Sequence, residues 1–123
     1  MSLLQPQGGP DRDYQDQIKT AEAAHKELTM EKYDLVRIFK ALADRTRQDI
    51  LELLSGREMN VTDICAAFET SQPTISHHLQ ILRNCDLVDF RKDGKNIYYF
   101  VKQEVVDDVF GTVIRKMHIK IIR

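Results

Sequence analysis

The sequence predicts a mainly α-helical protein with one small β-hairpin, and three observations lead there. Apolar residues recur at helical spacing through most of the chain. The period changes to two across Leu87–Lys92 and Asn96–Val101, runs rich in Val, Ile, Phe and Tyr. Between them stands Asp93-Gly94, and an Asp-Gly pair flanked by alternating runs is a strong local hairpin signal.

The elements follow in order. The opening Gln5-Pro6-Gln7-Gly8-Gly9-Pro10 is expected to be mobile. Tyr14 to Leu28, rich in Ala, Gln, Lys and Glu, predicts a helix with a weak apolar face (Ile18, Ala21, Ala24, Leu28) that needs a partner. Glu31 to Ala43 predicts a stronger amphipathic helix through Tyr33, Leu35, Val36, Phe39 and Leu42. Arg45 to Ser55 predicts another, with Gly56 as its C-cap. Asn60 and Asp63 resemble a capping pair ahead of a short helix, Val61 to Phe68, with Ile64, Ala67 and Phe68 inward. Glu69 and Thr70 leave room for a tight turn, and a helix over 71–83 follows. Two short helices joined this way make a helix-turn-helix. After the hairpin, Glu104 to Ile122 returns to helical spacing. The expected organisation is an N-terminal segment and extra helix over 1–29, a DNA-binding domain over 30–103 and a dimerisation helix over 104–123.

Composition narrows the function classes. A chain of 123 residues suffices for one small core. No stretch approaches the roughly 18 apolar residues that a membrane span requires, and Met1 to Pro10 has no secretory pattern, so no membrane partner is expected. Two cysteines are too few for a disulfide scaffold and fit a reducing, cytoplasmic setting. The net charge of −1 is unevenly spread. Residues 1–30 hold three bases and five acids, whereas residues 71–102 hold five bases and three acids. No Gly-rich phosphate loop, His/Cys ligand cluster or nucleophile–base pair suggests an enzyme. No cofactor or metal site is expected.

Residues 71–83, Ser-Gln-Pro-Thr-Ile-Ser-His-His-Leu-Gln-Ile-Leu-Arg, carry the functional signal. Ser71 can cap the helix and Pro73 fits its first turn. Ile75, Leu79 and Leu82 make one apolar stripe, while Gln72, Thr74, Ser76, His77 and Gln80 occupy the other face. No acid occurs between Glu69 and Asp86. A helix that reads base edges in a major groove avoids acidic groups and keeps amides, hydroxyls and imidazoles. His78, nearer the apolar side, is expected to pack and hydrogen-bond. Arg91, Lys92 and Lys95 crowd the hairpin, where phosphate contacts are expected of the last part of a winged helix.

Three ordered blocks now stand out: Phe39-Lys40-Ala41-Leu42-Ala43-Asp44-Arg45-Thr46-Arg47, Ser71-Gln72-Pro73-Thr74-Ile75-Ser76-His77-His78-Leu79, and Gly94-Lys95-Asn96-Ile97-Tyr98-Tyr99. Together they resemble the ArsR family of bacterial and archaeal winged-helix repressors, over roughly Tyr33 to Met117. The resemblance implies a homodimer on a double-stranded DNA operator, released by a chemical signal whose identity stays open. The broad apolar strip Val106, Val109, Phe110, Val113 and Met117 is the expected dimer interface.

Two departures from the family pattern bear on metal sensing. Where arsenic- and cadmium-sensing members carry thiols, this chain has Asn60, Thr62 and Cys65. Where zinc-sensing members carry terminal-helix ligands, it has Asp107, His118 and Ile121. A smaller departure is Asp86, where the family commonly has Gly. Cys65 and Cys85 are read as small core residues, with a thiol sensor as the alternative reading. Two rival functions remain at this stage: a winged helix retained for binding a protein, and a small thiol- or metal-responsive protein that does not bind DNA.

Overall fold

The computed structural model of the chain describes residues 12–29 and 32–118. The chain divides into two units, 1–32 and 33–123. In the first, α1 runs Arg12–Thr29. The second contains α2 (Leu35–Leu42), α3 (Arg45–Leu53), β1 (Met59–Asn60), α4 (Val61–Phe68), α5 (Gln72–Asn84), β2 (Val88–Asp93), β3 (Asn96–Val101) and α6 (Gln103–Met117). None of the described helices is long and apolar enough to cross a membrane.

Side-chain caps set the helix starts. Asp34 Oδ1 accepts from the Arg37 amide at 3.1 Å, Asp44 Oδ1 from Arg47 at 3.0 Å and Asn60 Oδ1 from Asp63 at 2.8 Å. The Asp34 cap explains why α2 begins at Leu35 and not at Glu31. Ser71 occupies the N-cap of α5, but its hydroxyl pairs with the Thr74 hydroxyl at 2.9 Å and bonds no backbone N–H. Gly56 lies beyond the end of α3, whose C-cap is Leu54, and takes φ 72 in the following turn.

Two left-handed residues shape the turns around α5. Glu69 (φ 52) caps α4, its backbone N–H donating to the Cys65 carbonyl. Asp86 (φ 64) follows α5, where Leu87 N–H donates to Leu82 O and Asp86 N–H to Arg83 O. This bond pair is the Schellman arrangement, usually made with glycine, and Leu87 buries itself beside it. Asp tolerates the conformation better than most residues. Lys102 Nζ donates to its carboxylate at 2.7 Å, tying the end of β3 to the end of α5.

The sheet has three antiparallel strands in the order β1-β3-β2. The hairpin is as expected, but its two-residue turn is Gly94-Lys95, because Asp93 pairs with Asn96. Gly94 supplies a positive φ of 62 at the first central position, as in a type II′ turn. The third strand, Met59–Asn60 opposite Tyr99 and Tyr98, is too short to show alternation in the sequence.

The core joins Ile38 and Ala41 of α2, Ile50 and Leu54 around α3, Ile64 of α4, the Ile75/Leu79/Leu82 stripe of α5, and Val109 of α6. Several expectations need correction here. Val36 (65% exposed) and Phe39 (39%) lie at the edge of an apolar arc wider than the core beneath it. Ala67 is exposed. Val109 and Val113, assigned above to a dimer interface, are buried within the chain itself. The apolar arc of α6 spans about half the helix circumference, counted at about 100° per residue. Its Val109 side packs inward, while Phe110 (41% exposed) and Met117 (61%) face solvent. The described part of α6 stops at Met117, so Ile121 lies outside the described residues.

Leu79, fully buried at the centre of α5, gives a direct test of this packing. Leu79→Ala should cost about 2–5 kcal/mol of unfolding free energy in urea titration. Val36→Ala, at an exposed site, should cost under about 0.5 kcal/mol in the same experiment.

Candidate nucleic-acid interface

The first helix of the helix-turn-helix, α4, packs on α5 and holds it so that one face stays open. Gln72, Thr74, His77 and Gln80 are exposed on that face and Ser76 is half-buried. The Gln80 amide donates to Asn84 Oδ1 at 2.8 Å. His78 turns the other way, as its apolar-side position implies. Its Nδ1 lies 3.2 Å from Arg47 Nη1 and 4.0 Å from Asp44 Oδ1. That carboxyl is held below its usual range chiefly by the Arg47 backbone N–H, helped by the Arg47 and His78 charges.

The hairpin is anchored to α5 by a chain of ring and charge contacts. Arg83 places its guanidinium carbon 4.3 Å from the Phe90 ring centre, with its Nε 3.4 Å from Asp89 Oδ1. Phe90 in turn meets Tyr99 across the hairpin, centroids 5.6 Å apart. The Phe90–Tyr99 opposition follows from hairpin register and was accessible in principle.

The three basic residues of the hairpin are not equivalent. Lys92 and Lys95 are exposed and have no ion-pair partner among the described residues. Arg91 reaches across the ring of Tyr98, 4.8 Å from its centre, and donates from Nε to both carboxylate oxygens of Glu58 at 2.9 Å. A further bond from Nη2 makes the pair a fork. Those bonds hold the Glu58 carboxyl below its usual range and the guanidinium above its own. Glu58 precedes β1, so this pair links the two outer strands across Tyr98 of the central β3. Sequence separation hid it, since Glu58 and Arg91 are 33 positions apart.

The candidate sensor groups are dispersed. Cys65 is half-buried in α4. Cys85 is buried, its Sγ 3.8 Å from the Arg37 carbonyl, and burial pushes the thiol up despite the nearby Arg37 and Arg47. The neighbouring cations are therefore those two arginines, since Arg83 pairs elsewhere. Asn60 is occupied as a cap, Asp107 accepts from the Gln103 amide at 2.8 Å, and His118 is an exposed left-handed cap of α6. Among the described residues no three His, Cys, Asp or Glu side chains gather as a metal site.

The sequence pattern described as "Bacterial regulatory protein, arsR family" matches residues 44–89, from the cap of α3 into β2. The chain is 42% identical over 71 residues to the transcriptional repressor SdpR of Bacillus subtilis (strain 168), covering 58% of this chain and 79% of that protein. The chain belongs to the ArsR family. An arsenical resistance operon repressor of Staphylococcus aureus is 41% identical over 76 residues, covering 62% of this chain and 73% of its own. Among solved structures, an ArsR-like transcriptional regulator from Rhodococcus sp. RHA1 superposes with a TM-score of 0.63 at 28% identity, over 68% of this chain and 79% of that one. In this ArsR protein the matched segment contains α3, α4 and α5 whole, so the family pattern includes the entire helix-turn-helix.

Acid should undo the Glu58–Arg91 fork in a defined direction. The folded carboxyl is depressed, so the pair's stabilisation is present above the usual carboxylate range and is lost as pH falls through the folded value. The stability difference between wild type and Glu58→Gln, measured by urea unfolding, should therefore shrink on going from neutral pH to below the carboxylate range. A difference that is constant with pH would contradict the pairing.

Proposed function

We propose that this chain is an operator-binding transcriptional repressor that works as a homodimer in the cytoplasm. The observation that carries this reading is the open, acid-free face of α5, set in a helix-turn-helix beside a hairpin with two unpaired lysines. The repressors named among its relatives support the same reading. Gln72, Thr74, Ser76, His77 and Gln80 are the proposed base-reading residues. Gln80 would exchange its bond to Asn84 for a base edge.

Lys92 and Lys95 are the proposed phosphate contacts of the wing. Arg91 acts mainly as a strut in this scheme, because its hydrogen-bonding edge is given to Glu58. A second copy is proposed to cover the outer half of α6, where Val106 is half-buried and Phe110 and Met117 are exposed. A two-fold dimer of this kind sets two recognition helices on successive half-sites.

Gel-shift titrations on operator and random duplexes separate these roles. Ser76→Ala and His77→Ala should each cost about 1–3 kcal/mol on the operator and narrow the preference over random DNA. Lys95→Ala should weaken both duplexes alike and reduce the salt slope by about one. Unchanged specificity in both helix variants would count against a reading role for α5.

Sedimentation tests the assembly. Phe110→Asp should turn a dimeric species into monomer while leaving the fold intact, since Phe110 lies outside the buried cluster. A folded wild-type monomer at micromolar concentration would refute the interface.

A further inference from the structure

We propose that the notch between α2 and the C-terminal half of α5 is a binding site for a phosphate-type oxyanion. The notch has a volume of about 300 Å³ and is lined by Arg37, Lys40, Arg47, Ile81, Asn84 and Cys85, with Ala41 at its base. Three of these side chains are cationic and none is acidic.

The three cations differ in how they are held. Arg47 is a fixed charge, its side chain 13% exposed, with Nε bonded to the Ala41 carbonyl, Nη2 to the Lys40 carbonyl and Nη1 beside His78. Arg37 and Lys40 are exposed and have no side-chain partner among the described residues. Two acids flank these cations, and both accept bonds from helix amides. Asp34 caps α2, and Asp44 caps α3 while facing Arg47 at 3.8 Å. Arg37 and Lys40 stand three apart on one helix, a spacing at which like charges repel. A third cation beside them deepens that cost, and a bound anion reverses its sign.

The neutral groups suit the same ligand. Asn84 gives its amide oxygen to Gln80, which leaves its NH2 free to donate. The Cys85 thiol at the inner wall is kept protonated by burial, so it adds no competing negative charge. Guanidinium, ammonium and amide donors around one small volume, without an acceptor-rich wall, select an oxyanion.

Position sets this notch away from the hairpin, and Asn84, bonded to Gln80, joins it to the C-terminal edge of the proposed reading face. Cys85 and Arg83 lie about 200° apart around α5, counted at 100° per residue. Arg83 faces the hairpin, so the notch lies on the opposite flank of the helix. It lies at the C-terminal end of α5, whereas recognition helices contact bases chiefly from their N-terminal residues. The oxyanion can come from a free phosphorylated molecule or from a flanking DNA phosphate, and two measurements separate these sources.

The first uses the full chain without DNA and titrates pyrophosphate at constant ionic strength, followed by amide and arginine side-chain NMR. The expected result is saturable shifts confined to Arg37, Lys40, Arg47, Asn84 and Cys85. The affinity should fall about tenfold or more in Arg37→Ala/Lys40→Ala, whose remaining spectrum reports that it is folded. The second measures the salt slope of duplex binding. A slope reduced by about two in the double variant, with no pyrophosphate site, assigns the oxyanion to DNA. Shifts that never saturate and match the double variant, together with an unchanged salt slope, overturn the proposal. Loss of operator binding in wild type would sink the repressor reading and leave the first measurement intact.

Discussion

The guanidinium of Arg47 lies where α2 ends, α3 begins and α5 passes. A helix leaves its last carbonyls without partners, and α2 is too short to waste any of its hydrogen bonds. Arg47 satisfies the carbonyls of Ala41 and Lys40, and Gln48 satisfies that of Leu42 at 2.6 Å. The same guanidinium meets His78 on α5, and its backbone N–H holds the Asp44 cap. One side chain therefore terminates a helix, starts the next and orients the helix that carries the polar face. An aliphatic residue at this place would leave the Ala41 carbonyl unpaired and remove the 3.2 Å neighbour of the His78 ring, while the Lys40 carbonyl would keep its bond from the Ala43 amide.

From that junction the architecture extends outward through α5. Its Ile75, Leu79 and Leu82 are fully buried, so the helix with the most open polar face is also central to the core. The two roles are compatible because helical periodicity separates the faces. The hairpin is then referred to α5 by Arg83 on Phe90, and to β1 by Arg91 on Glu58. Both contacts use arginine over an aromatic ring, a pairing that tolerates solvent better than a bare ion pair. Of the basic residues at the tip, only those left over from this bracing, Lys92 and Lys95, remain free to meet an outside anion.

Much of the fold was legible from the residues. The helix-turn-helix, the hairpin and the cap at Asn60 rest on local rules, which act over a few residues and leave a mark in the sequence. The polar face of α5 was legible for the same reason. The struts were not, because Glu58–Arg91 and Arg47–His78 join positions 33 and 31 apart, and no local pattern carries them. The short β1 was missed because two residues cannot display a period.

The sequence by itself determined the order and kind of the helices and of the hairpin, the acid-free face of α5, and the membership that the three motif blocks signal. Only the tertiary structure decided which part of each apolar arc is core. Val109 and Val113 turn inward while Phe110 and Met117 do not, and Val36 and Phe39 lie outside although their spacing suits burial. Periodicity defines a face but not its width, since the width used depends on how much neighbouring surface arrives to cover it. The tertiary structure likewise decided that Arg91 is a brace and that Arg37, Lys40 and Arg47 share one notch. Charge is a property of the residue, but whether it is spent or free depends on what the fold brings beside it.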